Sequence, residues 1–349
     1  MSNIKIIKAG LLTTLQDKGR FGFQQYGIPV AGAMDQYSLQ LANLLVGNEV
    51  DNTALEFTLM GPTIQFEDNL TFAITGGEFQ PTLNGKSIKM YQTIYAKKGD
   101  ELAFSTVLNG CRGYLAIEGG FGVERIMGSQ STYLRGGFGG FEGRKLRSGD
   151  LIPLGKPTSG RSLGIRRIPK DMIPEYKSER VIRVIMGPED NRFSKEGIET
   201  FLREEYHLSN QLDRMGYRLE GKKIQHLDGA DIISGGINFG AIQVPGEGKP
   251  IIMMADHQTT GGYTKIANVI SVDLPYLAQM KPEDKVTFKA ITVEEAQGFF
   301  RRQVEGIRDL EKRFKENTEQ TSSNEIRGRK KFNIIVNGKS YYVSVEERQ

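Results

Sequence analysis

Glycine spacing narrows the choices first. Forty-two of the 349 residues are glycine, many of them paired, and the segments between them are short and apolar. That pattern suits an all-β architecture in which glycine serves turns, bulges and barrel corners, so helices should be few. The hydrophobic content of 38% is enough for a real core, and the length allows two ordinary domains or one large one.

Charge and residue usage exclude several classes. Lys and Arg total 46 against 42 Asp and Glu, a net +4 spread along the chain, whereas a nucleic-acid protein clusters its basic residues. Cys111 is the single cysteine, which excludes an internal disulfide, and the opening MSNIKIIKAG has no apolar run behind a basic start. These features predict a cytoplasmic protein. No apolar run approaches the roughly 20 residues needed to cross a bilayer. His207, His226 and His257 stand far apart with no metal-ligand spacing, so no metal is expected.

Along the chain, residues 4 to 15 read as a first strand pair. Asp35 starts a helix with Tyr37, Leu41, Leu44 and Leu45 at helical spacing and Gly47-Asn48 as its stop; its apolar face is expected to plug a barrel end. Asn84-Gly85 is a two-residue hairpin signal. Gly119 to Gly143 is a long glycine-dense loop with Ser129, Ser131, Thr132, Tyr133 and Arg135. A connection rich in Pro, Ser, Gly and Arg runs from Lys156 to Ser178, and a second helix is expected near Ser194 to Tyr206. Thr292 opens a long helix with a capping box to Glu295, expected to reach about Lys315. Thr318 to Lys331 reads as a polar linker and KFNIIVNGKSYYVSVEE as a hairpin turning at Asn337-Gly338.

Three motif readings fail. Gly85-Lys86-Ser87 and Gly338-Lys339-Ser340 lack the first glycine of a phosphate loop, Gln80 and Asn333 standing in its place, and both sit at hairpin turns. In GGFGGFEG, Glu142 takes the third glycine's place of a dinucleotide fingerprint. Ser129, Ser131 and Thr132 have no histidine near them in sequence to activate a hydroxyl.

The stretch Ile251 to Ser271, IIMMADHQTTGGYTKIANVIS, concentrates polar chemistry between two apolar runs. A loop held at both ends is a common place for a site, although a polar hairpin turn with a glycine hinge would look the same. Together with GIPVAGAMD (27–35), LNG (83–85), CRGYLAIEGG (111–120), GSQST (128–132), LDRMGYRLEG (212–221) and GAIQVPGEGKP (240–250), DHQTTGGY resembles the KipA family. That family is also known as the C component of 5-oxoprolinase, or as biotin-dependent carboxyltransferase-like, and is similar to the allophanate hydrolase subunit 2-type module of urea carboxylase.

The resemblance implies a mainly β fold of two cyclophilin-like β-barrels, over residues 1–160 and 161–291, followed by a C-terminal helix (292–317), a polar linker (318–331) and a hairpin (332–349) like the start of a biotinyl domain. No Ala-Met-Lys-Met follows that hairpin, so biotin is not expected to be attached to this chain. A KipI-like B component and the A component of 5-oxoprolinase are the implied partners in an ATP-dependent opening of the 5-oxoproline lactam, with ATP belonging to the complex. Two other roles remain open: antagonism of a KipI-like kinase inhibitor, and carboxyl transfer from carboxybiotin to a urea-like amide.

A planar amide has to be held by matched donors and acceptors while charge develops on its oxygen. Asp256 is expected to accept the amide N–H, and Gln258 and the backbone of Gly261 and Gly262 to donate to the carbonyl. Lys265, Arg214 or Arg112 would bind a carboxylate or phosphate, and Tyr263 would wall the pocket. Asp213 and Arg214 could equally form a loop ion pair, and Arg112 a bridge at a barrel end.

Overall fold

The computed structural model describes residues 2–157, 163–326, 329–336 and 339–346. It is mainly β, with four α-helices among the described residues: α1 (Gln36–Leu45), α2 (Lys195–Arg203), α3 (Leu274–Ala278) and α4 (Val293–Ile326).

In the first half, a six-stranded and a five-stranded sheet face each other. Ile4, Ile64 and Leu102 of one meet Leu55, Phe72 and Leu115 of the other in a single core. The two opening strands, Asn3–Lys8 and Leu12–Gln16, do not pair with each other as expected; one joins each sheet. Gly10, at φ 71°, turns the chain between them.

The five-stranded sheet is covered on its other face as well. Leu39, Leu41 and Ala42 of α1 pack there with Ala54, Ala73 and Ala116, and Ile307, Leu310 and Phe314 of α4 join the same cluster. Thus α1 covers a sheet face rather than plugging a barrel end. Its limits follow the sequence signals: the Asp35 side chain accepts from Ser38 N at 2.9 Å, and Gly47 leaves the helix at φ 72°.

In the second half, seven strands between Glu179 and Ala290 close into a barrel. Lys285–Ala290 closes it by running parallel to Glu179–Met186. Its interior is filled by Ile182, Val184, Leu219, Ile242, Ile252 and Ile266. Helix α2 starts at Ser194, whose hydroxyl accepts from Gly197 N at 2.9 Å.

Helix α4 begins with the expected reciprocal box. Thr292 N donates to Glu295 Oε2 at 2.9 Å and Glu295 N to Thr292 Oγ1 at 3.2 Å. It continues to Ile326, beyond the expected end; no Gly or Pro interrupts residues 307–327, so the polar composition alone does not stop it. Strands Arg329–Val336 and Lys339–Glu346 pair antiparallel as a hairpin, whose Asn337-Gly338 turn lies outside the described residues. Among the described residues no helix is long and apolar enough to cross a membrane.

Candidate functional site

Strand Ile251–Met253 leaves the barrel wall and the chain then lies along the 213–216 turn. Met254 N donates to Met215 O at 2.9 Å and Asp256 N to Arg214 O at 2.7 Å. These two bonds bring the side chains of Asp256 and Arg214 together. Arg214 Nε and Nη2 donate to the two Asp256 carboxylate oxygens, each at 2.9 Å. Its Nη1 reaches across to Glu56 Oε1 in the five-stranded sheet at 2.5 Å, and Nη2 also donates to Gly32 O at 2.5 Å. Glu56 Oε2 accepts from Met34 N at 2.8 Å and from the hydroxyl of Tyr114, directly opposite on the next strand, at 2.7 Å. All three charged groups are buried. Burial alone would lower the Arg214 guanidinium, but Asp256 and Glu56 outweigh it and hold the pKa above its usual value.

Arg112 lies in a second contact between the halves. Its Nη1 donates to Tyr217 Oη at 2.7 Å and to Ala278 O. Beside it, Gln279 Oε1 accepts from Cys111 N and Arg112 N at 2.9 and 2.8 Å, while Gln279 Nε2 donates to Asp35 Oδ2 at 2.8 Å. Burial pushes the Asp35 carboxyl up, against the hydrogen bonds from Gln279 and Ser38. Arg112 therefore occupies the bridging position rather than a place beside Gln258. Lys265 is also buried; its Nζ pairs with Glu189 at 3.2 Å and its backbone N–H donates to Glu189 Oε2 at 3.1 Å.

Gly261 and Gly262 lie in a strand, Thr260–Tyr263, paired with Asp231–Gly236. Neither has positive φ, so the alternative reading of a hairpin turn with a glycine hinge does not hold. Gly261 sits in close contact: a Cβ there would come within 2.5 Å of Ile237 Cδ1 and 2.7 Å of Gln243 Nε2, side-chain ends that would have to shift, whereas at Gly262 the nearest atom would be 3.5 Å away.

Gln258, Asp213 and Tyr263 line one cleft of about 420 Å³, with Gln243 and Arg218. Asp213 forms no ion pair with Arg214; its Oδ1 accepts from Met215 N and Gly216 N at 2.7 and 3.0 Å and shapes the turn. Gln243 went unrecognised in the sequence, where it reads as one more residue of a buried strand. It is 2% exposed and donates through Nε2 to Tyr263 O at 3.4 Å.

The long glycine-dense loop of the first half borders the same cleft. Arg135 Nη1 lies 2.9 Å from Met215 Sδ, and Met215 lines the cleft. Tyr133 is raised by burial and then by the charge of Asp256. The hydroxyls of Ser129 and Ser131 both donate to buried Asp17, at 2.7 and 2.5 Å, so the serines order the loop instead of serving as nucleophiles. On the opposite side of the 254–259 loop, His257 and Ala255 line a larger cavity of about 750 Å³.

A cleft of the second half, bordered through Arg135 by the glycine-dense loop of the first, accompanies a match of residues 26–290 to the carboxyltransferase domain, subdomain A and B, and the chain belongs to that family. Within it, the chain is 40% identical over 295 residues to the C component of 5-oxoprolinase from Escherichia coli, covering 84% of this chain and 93% of that protein. It is 33% identical to the urea amidolyase of Saccharomyces cerevisiae over 88% of its own length but only 18% of that enzyme's. The crystal structure of the K. lactis urea amidolyase superposes with a TM-score of 0.83 at 31% identity, over 88% of this chain and 20% of that one.

Proposed function

We propose that this chain is the C component of an ATP-dependent 5-oxoprolinase, opening the 5-oxoproline lactam to L-glutamate together with the A and B components. The observation that carries the reading is the near full-length likeness to a protein of that name, which extends over 93% of the relative. The cleft chemistry supports it. Gln243 and Gln258 line the same cleft, and two primary amides offer a cyclic amide both a donor and an acceptor. Arg218 at the cleft can take the substrate carboxylate.

Both oxygens of Asp256 already accept from Arg214. In this reading Asp256 therefore fixes the loop against the barrel, and contact with the amide falls to Gln258 and Gln243. ATP would phosphorylate the lactam oxygen and leave as ADP; water would add to the carbonyl carbon, the ring C–N bond would break with the nitrogen leaving as the amine of glutamate, and a second water would cleave the resulting γ-carboxyl phosphate to release inorganic phosphate. In this reading ATP is assigned to the complex, and the Gly85-Lys86-Ser87 segment of this chain is an exposed hairpin turn.

The test is reconstitution with the A and B components, ATP and 5-oxoproline. Glutamate should form and should require this chain, and Gln258→Leu should raise KM for the lactam about tenfold or more, the cost of leaving a polar partner unpaired. Unchanged glutamate formation on omitting the chain would overturn the reading. The family match and the urea amidolyase likeness favour a second reading, carboxyl transfer to a urea-like amide; a requirement for a biotinylated carrier, abolished by avidin, would separate it from the first.

A further inference from the structure

The larger cavity lies where three parts of the molecule meet. Tyr37 of α1, Phe239 and Leu274 of the second half, and Phe300 and Val304 of α4 line it, and most of its wall is apolar. At about 750 Å³ it falls in the size range of sites for drug-sized molecules. Lys18 and Asp51, paired at 3.3 Å, stand in its wall, and Arg308 and Glu311 add one charge of each sign, so the wall is neutral in sum. The space therefore favours neither a cation nor an anion.

Among the polar side chains of the wall, which include Gln24, Gln36, Gln40, Asn238 and Gln303, only that of His257 is nearly wholly buried. His257 is 3% exposed and lines the cavity. Its Nδ1 lies 2.7 Å from Gln258 O, and since a carbonyl only accepts, Nδ1 carries the hydrogen. A neutral ring with Nδ1 protonated has a bare lone pair on Nε2. Among the described residues Nε2 has no hydrogen-bond partner. Burial, the larger influence, lowers the His257 pKa and keeps the ring neutral, so Nε2 stays an acceptor. A largely apolar chamber with this free acceptor at its wall suits a guest that brings a donor to it.

We infer that this cavity is a second small-molecule site, separate from the cleft of Gln243 and Gln258, that takes an uncharged, largely apolar ring compound presenting one N–H or O–H donor to His257 Nε2. The site does not depend on the lactam reading and can be measured on this chain alone, without ATP or the other components.

Calorimetric titration of the full chain with 2-naphthol, which has the ring and one donor, and with 2-methoxynaphthalene, which lacks the donor, tests it. Saturable one-to-one binding of 2-naphthol is expected, with the methoxy compound weaker by about five- to tenfold, the worth of one neutral hydrogen bond. His257→Phe keeps a ring of similar size and should erase that difference. Val304→Trp, on a half-buried position of α4, should fill the chamber and weaken both probes by about tenfold or more. If His257→Phe does not fold, as judged by circular dichroism and its melting midpoint, the two probes on the natural chain and Val304→Trp decide the matter. Absence of saturable binding, equal affinity for the two probes, or undiminished binding by Val304→Trp would each overturn the inference.

Discussion

Arg214 makes four hydrogen bonds to groups from both halves, and none of them is to its sequence neighbour Asp213. Removing one member of a buried charge group leaves the others desolvated and unpaired, which costs about 3–5 kcal/mol. Arg214→Leu should therefore lower the unfolding free energy by about that amount in urea titrations; a loss under about 1 kcal/mol would mean that water enters the cluster and solvates the carboxylates. The LDRMG and DHQTTGG segments were legible in the sequence as a polar concentration. The third member was not, because Glu56 sits in a short buried strand 158 positions from Arg214 with nothing local to distinguish it. His257 supplies the pH test at this scale. Its folded pKa is depressed by burial, so the unfolded chain takes up the proton first as pH falls. The stability it contributes is complete above about pH 7.5 and is lost as pH drops through about 6.5 towards the lower folded value. The natural chain should accordingly lose urea midpoint relative to His257→Phe as pH falls through that window, and a pH-independent difference would contradict a neutral buried ring.

Helices were legible where a capping residue and a stop bracket them. Asp35 and Gly47 set the limits of α1, and Thr292 with Glu295 the start of α4. The far end of α4 was not legible, because a polar run without glycine or proline is compatible with either linker or helix. Strand pairing was less legible still: Asn3–Lys8 and Leu12–Gln16 are close enough for a hairpin, yet core packing sends them to opposite sheets. The paired glycines of DHQTTGGY show the same limit, since glycine marks either a turn or a close contact and Gly261 here serves the second. The attachment of α4 rests on Ile307, Leu310 and Phe314 packed into the α1 cluster. Leu310 is 1% exposed, so Leu310→Ala should cost about 2–5 kcal/mol. Hydrogen exchange should then quicken in α4 and spread to α1, whereas an unchanged exchange pattern would show that α4 is not held by this side chain.

At the scale of the molecule, a closed barrel is joined to a pair of facing sheets by polar contacts: Arg214 with Glu56, Arg112 with Tyr217, and Gln279 with Asp35. The mainly β composition was readable from glycine and short apolar runs, and the family from its ordered motifs; how the halves face each other was not, because every one of those contacts joins residues more than 100 positions apart. Ten glycine and serine residues inserted between 157 and 163 should move the melting midpoint by only a degree or two, since each doubling of loop length costs about 0.6 kcal/mol. A fall of more than about 8 °C would show that the tether itself fixes the arrangement.

The guanidinium of Arg214 thus works as a keystone, and once it is seated covalent continuity between the two halves should be dispensable. Fragments ending before and starting after the connection should assemble when produced together, and the joined pair should regain the chamber lined by Tyr37 of one and Phe239 and Phe300 of the other, which neither can build alone.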